Sequence, residues 1–587
     1  MAFRIMSARN GRMFGRDRIG VASRLLRWGV FGLILTVTAC GGGGGGGGTN
    51  PIPTPPPDGG SPPPSAPTVG ELNEAAKLAS VSTFGLPYDA LYALAETGFD
   101  SWLQTQFNTP ATLHKPVIDD LEDMLANGEL AANRDANAHR KRFRRYAWWN
   151  RAMTAPDVLR QRVAFALSEI FVVSDQVAQL NNNPYALSTY YDQLLTHAFT
   201  NYRDLLKAVA LHPAMGVYLS HVNNPKADPD ANQFPDENFA REVMQLFSIG
   251  LFELNADGSE KLDDDGQPIP SYNNDTIREM ARVFTGLSFG GPNARFGKRG
   301  PVFQVPMQMF DEFHEPGEKV LLNDVVVPAG QTGMQDIEMA LDNLFNHPNV
   351  GPFIGRQLIQ RLVMSNPPPA YVARVSAAFN GDSSGVRGDM RAVIEAVLTD
   401  PEVVSPSDPE TAGRLREPLV RFVSMARQLN AVAEDGLFYN NGYAQQFLLR
   451  QHPLSAPSVF NFYLPNHSPA GPLAQAGLVA PEFQITDTTS IVTVTNAMYL
   501  AVIGNQVMDI EPPFGAVSLD LTAFEDLNAD SLDALLDRLD TVFMHGTMEA
   551  TTRQWIADIA LEVEDMPLRT RVAIYMTLAS ANYAVNI

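Results

Sequence analysis

Residues 41–70 set the first limit on what this chain can fold into. Gly41–Gly48 is an unbroken run of eight glycines and Thr49–Gly70 carries nine prolines, so 20 of these 30 residues are Gly or Pro. Glycine is the residue most costly in entropy to order, and proline lacks the amide that helix and sheet need, so no packed core forms here. The glycines behave as a coil of about 5–6 Å × √n and the proline-rich part as a semi-rigid spacer of about 3 Å per residue. The chain is thereby divided into a leader (1–39), a tether (40–70) and a body of 517 residues (71–587).

The leader reads as an export signal. Seven Arg and a single acid, Asp17, precede an apolar run of twelve residues, Trp28–Ala39. That run is shorter than the roughly 20 residues a spanning helix needs. It ends in Val37-Thr38-Ala39-Cys40, which has the form of a bacterial lipobox and implies cleavage before Cys40 and lipidation of its thiol. An ordinary secretory signal with an incidental cysteine is the plainer alternative, and it must explain why Cys40 is the only cysteine in the chain. Gly41, not Asp, follows Cys40, and by resemblance to sorted lipoproteins this favours the outer membrane. Loss of 1–39 removes seven bases and one acid and shifts the net charge from −22 to −28. That charge argues against nucleic acid as a partner and leaves the lipid, not electrostatics, to hold the body at an anionic membrane. A single cysteine also excludes disulfides within the chain, a CxxC redox centre and a Cys-rich zinc site.

The body reads as mainly α, a large multi-helix globular unit with a small β-hairpin insertion at about 251–330 and with 526–587 as a candidate C-terminal helical subdomain. Val163–Val173 is apolar nearly all round, as in a central buried helix, with Thr154 and Asp157 placed as a capping box before it. Phe239, Val243, Leu246, Phe247 and Gly250 recur at helical spacing behind Asp236, and Ile277, Ala281, Phe284 and Leu287 do so behind Asp275. Asn255-Ala-Asp-Gly258 and Asp263-Asp-Asp-Gly266 are turn signals flanking short extended pieces.

The chemistry-bearing residues form four groups. In a helix starting at Asp236, Glu237 and Arg241, and Asn238 and Glu242, pair at i,i+4, so four polar groups make two adjacent ridges opposite the apolar face. They either serve acid–base work and anion gripping or tie down the loop before them. Asp228, Asp230, Asn232 and Asp236 alternate hard oxygens as a calcium loop does. Gln233 and Phe239 stand where the EF-hand needs Gly and Glu, however, and plain Asx turns account for the same residues. Glu169 sits inside an apolar run, where an unpaired carboxylate is costly; it is a candidate general acid, or it is neutralised by a buried Arg, with Arg162 nearby. The run His139–Arg145 with Trp148 and Trp149 offers Arg142, Arg145 and both indoles for an anionic polymer or sugar faces, or for internal ion pairing. His314-Glu315 lacks the second His of HExxH, and no Walker, Rossmann or GxSxG motif occurs in the body.

The order of motifs carries a resemblance. Trp148–Met153, Asn201–Leu206, Phe234–Gly250, Ala281–Gly286, Phe353–Ile359, Ser365-Asn-Pro, Arg387-Gly-Asp, Leu415-Arg-Glu-Pro418, Pro457–Tyr463 and Pro481-Glu-Phe-Gln484 together resemble the bacterial family called Domain of Unknown Function 1800. The resemblance covers nearly all of 71–587 and implies one long body, but no established activity. Other members often carry histidine where this chain has Ala166–Ile170, so no histidine site is carried over there. Members are typically exported. Their genes often neighbour an exported, sulfatase-like family, Domain of Unknown Function 1501, which implies a partner of that kind. The leading expectation is therefore a lipid-anchored envelope protein that binds or assembles a polysaccharide or other extracellular polymer with that partner. One rival is a hydrolase or lyase using Glu237, Arg241 and Glu242 with His314 brought in from the insertion; another is a calcium-stabilised adhesion module.

Overall fold

Helices in this protein begin where the sequence supplies an oxygen for a free backbone amide. Thr68 and Glu71 form a capping box on Val69–Ser82, Thr332 and Gln335 form another on Gly333–Phe345, and Asp135, Asn201 and Asp389 each cap the helix that follows. The computed structural model describes residues 66–130, 134–298 and 300–586; the expected signal segment, Cys40 and most of the tether lie outside them. The architecture is mainly α with small antiparallel strand pairs. Among the described residues no helix is long and apolar enough to cross a membrane.

The central helix is Val158–Ser168, buried from Leu159 to its end and packed on Pro184–His197 and Val350–Leu362. It stops five residues short of the apolar run. Glu169 closes it, with the main chain turning there and the Glu169 carbonyl accepting from Arg361 Nη2 at 2.9 Å. Thr154 does not cap it either. That residue ends the preceding helix, Ala136–Thr154, and the Asp157 carboxylate accepts from the Thr112 amide. The helix expected from Asp236 runs Asn238–Gln245, two residues later, because Asp236 Oδ1 accepts from the Asn238 amide at 2.9 Å.

The 251–330 insertion holds a hairpin ladder through Phe252–Pro270, Leu254–Glu260 and Leu262–Pro268, then the helix Asn274–Val283, then short pairs at 287–288/308–309 and 319–320/326–327. The chain end returns to the middle of the body, where Val585–Asn586 pairs with Arg414–Leu415. Short helices bury many ends, and their spare carbonyls are met by arginine. Arg162 and Arg414 both donate to the Arg361 carbonyl, Arg416 to those of Tyr583 and Phe543, and Arg427 to those of Gly85, Ala152 and Met153.

One asparagine fixes the hairpin against the helix Val350–Leu362. Asn349 is fully buried; its Nδ2 donates to the carbonyls of Ile249 and Phe252, both at 2.8 Å, and its Oδ1 accepts from the Leu254 amide at 2.9 Å. Gly250, at φ +73°, completes the fit, since a Cβ there would lie 2.8 Å from the Phe353 ring. Asn349→Ala strands these groups and is expected to cost about 3 kcal/mol. Chemical denaturation measures the loss, and hydrogen exchange should quicken over 250–260; unchanged exchange there would contradict the stapling role.

Candidate functional site

Three of the four residue groups singled out in the sequence are consumed by the fold. Arg144 and Arg145 both pair with Asp175, Arg145 lies 4.2 Å over the Tyr443 ring, and Arg142 approaches Glu511 at 3.8 Å. Trp148 and Trp149 are core residues, 3% and 0% exposed, whose indoles donate to Tyr191 and His452. This run is an interior ion-pair and aromatic cluster, so the reading of Arg142, Arg145, Trp148 and Trp149 as a polymer grip is corrected. Asp228 caps a short 3-10 turn and Asp236 caps Asn238, while Asp230 and Asn232 are exposed. Among the described residues no three His, Cys, Asp or Glu side chains gather as metal ligands, and Asp228 and Asp236 are used by local backbone amides. His314 is buried with Nε2 3.0 Å from Asp336, which also takes Lys319 Nζ at 2.6 Å, and its Nδ1 faces Thr285. It is thus closed off from Glu237 and Arg241, which pair with each other at 3.4 Å on the surface. Glu242 is half-buried; one carboxylate oxygen is buried without a donor, and burial raises its pKa.

The fourth, Glu169, lines a cavity of about 550 Å³. The helix Asn238–Gln245 contributes Gln245 and the following Leu246 to this cavity, and Glu237, Arg241 and Glu242 do not line it. One face of Val350–Leu362, with Phe353, Arg356, Gln357, Gln360 and Arg361 at helical spacing, forms a wall; the hairpin (Leu251, Phe252, Leu254, Glu260) forms a second and Val459–Asn466 a third. Three phenylalanines, Phe252, Phe353 and Phe460, therefore face a space that also holds four side-chain amides, those of Gln245, Gln357, Gln360 and Asn466. Gln360 is committed to the carbonyls of Ser365 and Pro465. Gln357 is not: it is 8% exposed and its Nε2 has no hydrogen-bond acceptor. Arg356, exposed at the mouth, feels the charge of Glu260 across the hairpin.

Behind the cavity lies a buried ionic cluster. Arg162, Glu169, Arg361, Arg414, Glu417 and Glu482 are each at most 4% exposed. Their charge pairs are long: Arg361 Nε to Glu169 Oε2 is 4.0 Å, and Arg414 Nη1 lies 3.7 Å from Glu417 and 3.9 Å from Glu482. The arginines are held by carbonyls more closely than by carboxylates, and Arg162 binds the Arg361 carbonyl at 2.6 Å without bonding Glu169. Burial with loose pairing disfavours the charged form of a carboxyl group. Burial, reinforced by Glu417, pushes the Glu169 carboxyl well above the usual range, with Arg361 only partly opposing. Burial pushes Glu482 up to about 7 against the pull of Arg414. Asn461 and Tyr463 donate to Glu169 Oε1 at 3.1 and 3.4 Å.

Sequence reasoning found Glu169 and missed Gln357, Arg361, Glu417, Glu482, Asn461 and Tyr463 as site residues. Their signal is the same one, a polar group embedded in an apolar segment, as in Leu358-Ile-Gln-Arg-Leu362. The family model described as Protein of unknown function (DUF1800) matches residues 77–585. Comparisons with curated proteins and with solved structures give no significant match.

The cluster has a measurable signature in stability. Below pH 4.5 Glu482 holds its proton both folded and unfolded; between 4.5 and about 7 only the folded chain holds it, so folding loses stability as pH rises. For a shift from 4.5 to about 7 the loss is roughly 3 kcal/mol. Glu482→Gln lacks this titration. Its stability relative to the parent is expected to climb by that amount across this window and then level, in denaturation curves recorded from pH 4 to 8; a flat difference would refute it.

Proposed function

Because this chain belongs to the family described as Protein of unknown function (DUF1800), which brings no activity with it, we propose from its own cavity that it is a glycan-binding protein of the bacterial cell envelope. The observation that carries this reading is Gln357, a buried amide whose Nε2 lacks an acceptor, on the wall of a 550 Å³ cavity beside Phe353. An unmet buried donor costs about 1–3 kcal/mol, and a ligand hydroxyl relieves that cost. Phenyl rings supply flat apolar faces for the C–H face of a sugar, and amides supply hydrogen bonds for its rim. A cavity of this size takes a short stretch of a longer polymer that continues past the exposed side chains of Leu251, Phe460 and Leu464.

The envelope setting rests on the sequence. The basic leader, the apolar run and Val37-Thr38-Ala39-Cys40 support export and lipidation at Cys40, and the Gly/Pro tract after it supports a body held away from the outer membrane it is tethered to. We propose an exported sulfatase-like protein of the Domain of Unknown Function 1501 family as its partner on the polymer.

Phe353→Ala and Gln357→Ala are each expected to weaken binding of neutral tetra- to hexasaccharides about tenfold in isothermal titration calorimetry, with the fold retained. Binding unaffected by both changes would place the ligand elsewhere. Cys40→Ser is expected to move the protein from the membrane fraction to the soluble one; retention on the membrane would contradict lipid anchoring.

A further inference from the structure

Arginine is spent almost everywhere in this body. Among the described residues, arginine side chains bond carbonyls, carboxylates, hydroxyls or side-chain amides or lie over aromatic rings, as Arg361, Arg374, Arg391 and Arg538 do. Arg295 and Arg356 alone among them have no such partner. Arg295 is exposed, whereas Arg356 stands on the wall of the cavity beside Phe353 and Gln357.

The facing wall carries an unspent charge of the opposite sign. Glu260 lines the same cavity from the hairpin, where its main chain pairs with Leu254, and its exposed carboxylate accepts from no described residue. Burial lowers the Arg356 pKa and the charge of Glu260 raises it, so the two act on each other through space without bonding. The fold holds both stems in place. A Cβ on Gly258 would lie 3.9 Å from Arg356 Cδ, so the Asn255–Gly258 turn rests against the arginine stem. The helix carries that stem on one wall and the bridge to Leu254 fixes the other.

We infer that Arg356 and Glu260 grip one sugar ring by adjacent hydroxyls, the guanidinium donating to hydroxyl oxygens and the carboxylate accepting from hydroxyl hydrogens, so that the cavity selects sugars whose neighbouring ring hydroxyls are unsubstituted. This rests on the glycan-binding reading above and specifies its ligand class. A ligand group of one charge meets its opposite on one wall and its like on the other. A hydroxyl both gives and takes a hydrogen bond, so a ring between the walls uses both. The guanidinium fork and the two carboxylate oxygens are each matched to a pair of neighbouring groups, and bonds to charged partners are the stronger kind. Phe353 and Phe460 supply the apolar faces on which such a ring lies.

The test uses the full-length protein and three probes in titration calorimetry. Cellotetraose carries two adjacent hydroxyls on every ring, chitotetraose has an acetamido group in place of one of them, and tetragalacturonate adds a carboxylate. Arg356→Gln and Glu260→Gln are each expected to weaken cellotetraose binding about tenfold. Chitotetraose is expected to bind the parent about tenfold more weakly than cellotetraose and to be nearly indifferent to either change. The denaturation midpoint of both variants is expected to equal that of the parent, because neither side chain bonds another residue in the ligand-free protein. A lowered midpoint would assign the residue to folding and overturn the clamp. So would cellotetraose binding that Phe353→Ala abolishes and both glutamine variants leave intact, or chitotetraose bound by the parent as tightly as cellotetraose; in these cases the glycan site itself stands. Tetragalacturonate bound more tightly by Glu260→Gln than the parent binds cellotetraose would make Arg356 a carboxylate receptor instead. A parent that binds none of the three probes would sink the glycan reading, and the clamp with it.

Discussion

Buried helix ends are the constraint from which the rest of this structure follows. A body assembled from many short helices must bury the last carbonyls of most of them, and each such group needs a donor. The chain answers with arginine, whose planar fork reaches two acceptors at once and stays charged in almost any surrounding. Arg427 joins the Gly85 carbonyl to the end of Ala136–Thr154, Arg416 holds the C-terminal turn, and Arg162 and Arg414 converge on Arg361. A guanidinium brought in to satisfy a carbonyl also brings its charge, and Glu169, Glu417 and Glu482 are buried among these arginines. Because the arginines are positioned by the main chain, the carboxylates are left at 3.7–4.0 Å. The raised pKa of the Glu169 carboxyl beside the cavity thus follows from how the helices are terminated.

Much of the architecture was legible because helical periodicity and caps are local. Thr332 and Gln335, for example, announce Gly333–Phe345 from neighbouring positions. The errors fall where a side chain with a local pattern was claimed by a distant partner. Thr154 and Asp157 have the spacing of a capping box, yet Asp157 is taken by the amide of Thr112. Asp236 has the form of a helix start, yet its amide is taken by Asn224 Oδ1 from twelve residues back, its carboxylate accepts from the Asn238 amide, and the helix begins two residues later. The apolar run through Val173 hides a helix end at Ser168 because the segment after it is equally buried and hydrophobicity cannot distinguish the two.

The same division explains the site. Glu169 was visible as a charge in an apolar setting. Arg361, Glu417 and Glu482 carry that signal as clearly, but they are separated by as much as 313 residues from Glu169, and nothing local says that they meet. The basic run at 139–145 failed in the opposite direction. Its density suggested a surface, while its acids, Asp175 and Glu511, lie 30 and more residues away in sequence. Family motifs at 353–359, 415–418, 457–463 and 481–484 marked these segments without assigning them a role, and the fold shows that they surround one cluster and the cavity in front of it.

The hairpin wall differs in kind from the other two. It reaches the helix Val350–Leu362 through Asn349 and the close seat of Gly250 on Phe353, and its Asn255–Gly258 turn packs Gly258 against Val372. The floor, by contrast, is made by residues that also terminate core helices. Substitution of exposed side chains within 251–260, such as Leu251 or Glu260, therefore alters the outline of the cavity while leaving the Asn349 bonds and the Gly258 contact in place. An engineer wishing to reshape the cavity has those exposed positions to work with, on a wall whose backbone the body holds fixed.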